Sequence, residues 1–175
     1  MSAHSPYVVD LIGEVVKSMR DYPDADVAPF YIYDHPLAIN QRLMVMNQSV
    51  EKRHKRYPLV ALKMDFEEDV KGGVIHLDLN LAILDYTNKD YWMEDRYEHV
   101  FKPILYPLFD LFIDSLKKSG FFFWPGNQDA PPHKKYDRPY YGTPSNQGNV
   151  KNIFTDPLDG IEITHLKINT NLKQC

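Results

Sequence analysis

The chain has 175 residues, 43% of them hydrophobic and 25% charged, with a net charge of −4. These totals fit one domain with a sizeable core, and exclude a disordered chain and a globally basic nucleic-acid binder. The only cysteine is Cys175, no apolar run nears the roughly 18 residues of a membrane span, and the opening MSAHSPYVVDLIGEVVKSMR lacks the signal-peptide pattern, so the expectation is a reducing compartment and no membrane partner.

Ser5 and Pro6 predict a helix start, with Ser as cap and Pro at the first helical position, where its missing N–H is no loss. Val8, Leu11, Ile12, Val15, Val16 and Met19 then recur at helical spacing, with Asp10, Glu14 and Lys17 on the other side. The turn cluster at 21–24 stops the helix. Phe30 to Tyr33 is a short strand. Asp34-His35-Pro36 is a turn or a helix start. Residues 37–48 are strong helix formers and predict a helix, although their apolar spacing also allows a strand. Lys52, Arg53, Lys55 and Arg56 form the only basic run. They are a candidate contact for DNA or a partner, against the commoner reading of a solvated loop.

Tyr57 to Phe66 reads as a strand, with Val60, Leu62, Met64 and Phe66 on one face and Lys63 and Asp65 on the other. Glu67, Glu68 and Asp69 open a loop that runs to Gly73. The clearest signal follows: from Ile75 to Ile83 every odd residue is a branched aliphatic, and the even ones are His, Asp, Asn and Ala. Strict period two marks a strand with one face on a core and one facing water. The two strands form an antiparallel hairpin, about 33 Å long for ten residues.

Thr87 to Asp90 is the predicted cap of a long helix from Tyr91 to Lys118, ended by Gly120. Its apolar side is Tyr97, Phe101, Ile104, Leu105, Leu108, Leu111 and Phe112. Pro103 and Pro107 each remove a backbone bond, so the helix bends there or its first turns separate. From 121 to 157 neither helix nor strand period is visible. The stretch carries two aromatic clusters, Phe121, Phe122, Phe123 and Trp124, then Tyr136, Tyr140 and Tyr141. Aromatics argue against disorder, and the segment reads as an extended arm that needs a partner surface, with these residues as subunit-interface anchors. Residues 160–170 form the last strand, whose apolar phase slips by one at Thr164 and His165, as a β-bulge produces. The expected unit is a single α+β domain: core 5–120 and 158–171, a small antiparallel sheet with a long hairpin, and helices on one face.

Chemical motifs are sparse. The seven histidines never fall in HxxxH or HExxH pairs, and no GxGxxG, Walker or GxSxG sequence occurs. Glu94, Asp95, Glu98 and His99 on the long helix read as a solvated face rather than a metal site. His76 and Asp78 share the polar strand face and are a candidate acid–base pair beside the blander reading of an exposed strand. Asp65 and Glu67 beside Lys63 faintly suggest a metal nuclease.

The order helix, short strand, helix, long hairpin, long helix, final strand resembles the tail-terminator and tail-completion (head-to-tail joining) proteins of tailed bacteriophages. The wording is most similar to ring or neck proteins of Bacteroidetes-infecting, crAss-like phages. The likeness is carried by FYIYDHPL at 30–37, YPLVAL at 57–62, DRYE at 95–98 with FKPILYP at 101–107, and DGIEI at 159–163 running to LKI at 166–168. It implies a structural virion protein in a sixfold or twelvefold homo-oligomeric ring. Such a ring is assembled in the bacterial host cytoplasm and joins portal and neighbouring neck or tail proteins around a channel for double-stranded DNA. It implies no catalytic residues, no metal and no cofactor. Glu67, Glu68 and Asp69 would then face the channel and repel DNA phosphates. Two other classes stand beside it: a small metal-dependent hydrolase or nuclease using Asp65, Glu67, His76 or Asp78, and a one-to-one binding module acting through the aromatic arm.

Overall fold

The structure, a computed structural model, describes residues 3–4, 7–21, 29–35, 38–39, 41–42, 57–126, 128–141 and 157–174. In chain order these hold β1 (Ala3–His4), α1 (Val8–Ser18), β2 (Phe30–Asp34), β3 (Leu59–Lys71), β4 (Val74–Tyr86), a helical run α2 (93–118), β5 (Lys134–Arg138), β6 (Leu158–Asn171) and β7 (Lys173–Gln174). The fold is α+β. Its main sheet has the order β2-β3-β4-β6-β5, and β1 and β7 pair separately. β2 joins β3 in parallel, and the other three junctions are antiparallel. The parallel junction follows from the 24-residue connection between β2 and β3, which returns the chain to the end where β2 began.

Strand alternation places Ile75, Leu77, Leu79, Leu81 and Ile83 of β4 on one face, each 3% exposed or less. Val60 and Leu62 of β3 join them from one side, and Ile161, Ile163, Leu166 and Ile168 of β6 from the other. The apolar stripe of α1 and the residues Phe101, Leu105, Phe112 and Leu116 of α2 close over this face. A second, smaller core lies on the opposite face at one end, where Ile32, Ile39, Leu59, Ala82, Leu84 and Leu158 meet. Residues 38, 39, 41 and 42 are helical, as expected for the start of 37–48, and Ile39 brings this turn to the second core. The predicted cap at Ser5 and Pro6, the rest of that helix and the basic run 52–56 lie outside the described residues.

The bulge in the last strand is present. Leu79 pairs with Leu166 and Leu81 with Ile163, so Thr164 and His165 together face Asn80. His165 takes φ 52°, and its N–H lies 3.3 Å from Asn80 Oδ1. The sheet is mixed rather than purely antiparallel, because β2 pairs in parallel, and further expectations change. First, Glu67, Glu68 and Asp69 are not in a loop: β3 runs on to Lys71, and the turn is Gly72-Gly73 alone. Both glycines have positive φ, which lets a two-residue turn close the hairpin, so the acidic residues pair with β4. Second, α2 starts at Met93 rather than beside the 87–90 cluster. Asp95 accepts from Trp92 N–H at 3.1 Å, while Asn88 turns back on Asp90 N–H at 3.0 Å. Third, around Pro103 the helical run changes type instead of breaking its sequence of helical residues. Residues Tyr97–Leu105 take the wider π-helical spacing, which gives the proline ring room in place of the missing bond, and Pro107 sits in the first turn of the α-helical Tyr106–Lys118. Tyr97 is exposed rather than part of the buried side.

Candidate functional site

The candidate site is the open face of the sheet, opposite the helices. Alternation along β4 turns His76, Asp78 and Asn80 outward, and the ladder sets Glu67 against Asp78 and Asp69 against His76 on one side, Lys167 and Asn169 on the other. Two prolines from the 121–133 segment wall off a groove of about 440 Å³ over these residues. A second hollow of about 380 Å³ adjoins it past Pro132 and is lined by His133, Lys134, His165 and Lys167. One hollow is therefore acidic and its neighbour basic. Between the sheet's ends, Glu162 accepts from Lys63 at 2.5 Å and from Arg138 at 3.0 Å, tying β3, β6 and β5 together. Burial pushes the Glu162 carboxyl up, but these two cations outweigh it and hold it below the usual range.

The histidine beside Asp78 is His165, not the predicted His76: its Nδ1 lies 3.3 Å from Asp78 Oδ2, whereas His76 Nδ1 lies 2.8 Å from Asn169 Oδ1. The bulge delivers His165 to this place, and no local sequence pattern links residues 87 apart. The groove gathers Glu67, His76 and Asp78 but not Asp65. Among the described residues, no three His, Cys, Asp or Glu side chains are placed to hold a metal.

The aromatic arm meets its own sheet. Phe122 is 6% exposed in the main core. Phe123 and Asn169 exchange two backbone hydrogen bonds, at 2.8 and 3.0 Å, and Pro132 O accepts from Lys167 N–H at 2.9 Å. Lys134–Arg138 then pairs with β6 as an edge strand, a stretch in which the sequence shows no strand period. Phe121, Phe123, Tyr136 and Tyr140 keep about 40% of their surface exposed, Trp124 is half-buried with its Nε1–H on Gln128 O, and Tyr141 is half-buried beside the second core.

Beneath the start of α2 lies a charge cluster that sequence reading did not find. Arg96 is fully buried. Its guanidinium donates to Asp159 Oδ1 at 2.6 Å and to the carbonyls of Tyr91 and Asn88, and lies 3.7 Å from the Tyr140 ring centroid. Asp159 also accepts from Tyr140 N–H at 2.9 Å, while its Oδ2 is buried without a partner. Asp85 is the cross-strand neighbour of Asp159. Burial pushes its carboxyl up to about 6; a hydrogen bond from Tyr86 N–H opposes this, and the charge of Asp159 adds to it. This knot ties β4, β6 and the start of α2 together, and its central ion pair, Arg96 and Asp159, is closed to solvent. The open sheet face, by contrast, is accessible along with its edges. Set against family models, curated proteins and solved structures, the chain finds no match.

Proposed function

We propose that this chain is a structural subunit of a ring in the neck or tail of a tailed bacteriophage, joining head to tail around the DNA channel and working by assembly rather than catalysis. One observation carries the reading. The fold runs helix, short strand, helical turn, long hairpin, long helix and final long strand, with its long helices on one face; apart from the added edge strand β5 and the small β1–β7 pair, this is the order on which the family resemblance rests. Such a unit suits a ring wall: helices outside, and inside a sheet whose hairpin half no described helix covers. Glu67 and Asp69 lie on that open face and Glu68 on the other, because strand residues alternate. In the ring, Glu67, Asp69 and Asp78 would present carboxylates to passing DNA phosphates and keep the genome from sticking. Partners are further copies of the chain and the rings above and below it. The exposed aromatics Phe121, Phe123, Tyr136 and Tyr140 are suited to those contacts. In this reading Asp78 and His165 form a surface pair and not an acid–base couple. Light scattering with negative-stain microscopy of the purified protein tests the proposal. A closed ring is expected, and a strict monomer at all concentrations sinks it.

A further inference from the structure

Among the described residues, no strand pairs with the outer edge of β3 beyond β2 or with the outer edge of β5, and these two edges carry opposite charge. β2 covers β3 only along Leu59 to Lys63. Beyond it, among the described residues, no strand pairs with the outer edge of β3 at 64–71. That stretch holds Asp65, Glu67, Glu68 and Asp69 against one cation, Lys71, which is already engaged by Asp69 at 2.5 Å. At the other side β5 ends the sheet, with all five residues exposed and with Lys134, Lys135 and Arg138 against one carboxylate, Asp137.

A long unpaired edge offers a row of N–H and C=O groups to any strand that fits. Two acidic edges repel each other, so like does not pair with like, whereas the β5 edge supplies complementary charge. We infer that residues 65–71 of one copy pair with β5 of the next, joining the protomers head to tail through one continuous sheet. This rests on the ring reading and names the surfaces that close the ring. Strand direction agrees. β3 and β5 run opposite ways, so copies related by an axis along the strands meet antiparallel, the pairing already used at three of the four junctions within the chain. The level sets an offset. Arg138 pairs with Gly160, Gly160 with Leu84, and Leu84 with Leu59, which puts β5 level with the covered half of β3. Neighbouring copies are therefore staggered along the strands, the stagger that tilted strands in a closed barrel require. Unlike edges give a heterologous contact, which closes into a ring rather than stopping at a dimer.

Two variants test this, one carrying Glu67→Lys with Glu68→Lys and the other Lys134→Glu with Arg138→Glu, both checked for folding by circular dichroism. Each alone should raise the dissociation constant of assembly at least about tenfold. A one-to-one mixture should assemble again with the two variants alternating, because each contact then joins either two native edges or two reversed edges, which carry opposite charge in both cases. Lys134→Glu alone gives the same reading should Arg138→Glu disturb Glu162. If the native chain forms rings but both variants assemble equally well, or their mixture stays apart, the contact lies elsewhere and only this inference falls. A native chain that never assembles overturns the ring reading with it.

Discussion

Arg96 is the residue on which most of the fold's polar interior turns. A guanidinium removed from water survives only when its donors are satisfied, and here one carboxylate, two carbonyls and a tyrosine ring do so. Arg96→Ala would strand Asp159 beside Asp85, and it should cost roughly 3–5 kcal/mol in urea unfolding. A loss below about 1 kcal/mol would mean that water reaches the site. Asp85 works in the other direction. Its folded value of about 6 lies above the ordinary one, so the folded state holds the proton more tightly than the unfolded state. The stability this group contributes is full below about pH 4 and is lost as pH rises through about 6. Asp85→Asn keeps an acceptor for Tyr86 N–H. It should therefore stabilise the protein by on the order of 2 kcal/mol near neutrality and by almost nothing near pH 4. Paired denaturant titrations at the two pH values check this, and a pH-independent difference would refute the cause.

Among the elements, β6 is the most constrained, because β4 occupies one edge along its length while β5, Phe123 and Pro132 occupy the other. Gly160 shows how tight the packing is: a Cβ there would sit 2.5 Å from Leu84 Cδ2 and 3.1 Å from the Ile83 carbonyl oxygen. Leu84 is itself fully buried and has nowhere to retreat, so Gly160→Ala should cost about 1–3 kcal/mol, read as a lowered melting temperature. Replacing 121–141 by a short linker would remove Phe122 from the core and bare the β6 edge. The expected product is insoluble, and a soluble, cooperatively melting remainder would show that the segment is dispensable. Elements with a buried face were legible in the sequence. The α1 stripe, the β4 alternation and the phase slip in β6 are all imprints of one-sided burial. β5 was not legible, since KKYDR is exposed on both faces and leaves no apolar period. The acidic end of β3 read as a loop for the same reason. Arg96 gave no local sign because its partner lies 63 residues away. For the site, the open face of β4 was visible at His76 and Asp78, but the residues that complete it from β3 and β6 were set by register.

For the whole molecule, the open face and charged edges bear on how copies meet. A contact carried by unlike charges is screened by salt, so the assembled fraction should fall steeply between about 0.05 and 0.5 M ionic strength. Light scattering across that range measures it, and salt-insensitive rings would point to the exposed aromatics as the main cement. The bulge at Thr164 and His165 governs something different, namely which changes of length the chain can survive. Before it the inward residues of β6 are odd-numbered, and after it they are even-numbered. Deleting one of these two residues would remove the bulge and leave a regular ladder with Leu166 and Ile168 still facing the core, whereas a single deletion elsewhere in the strand would act like a reading-frame error and turn one stretch of it over. Descendants of this sequence can change length at turns and lose one residue at this bulge, but elsewhere in the strand only in steps of two.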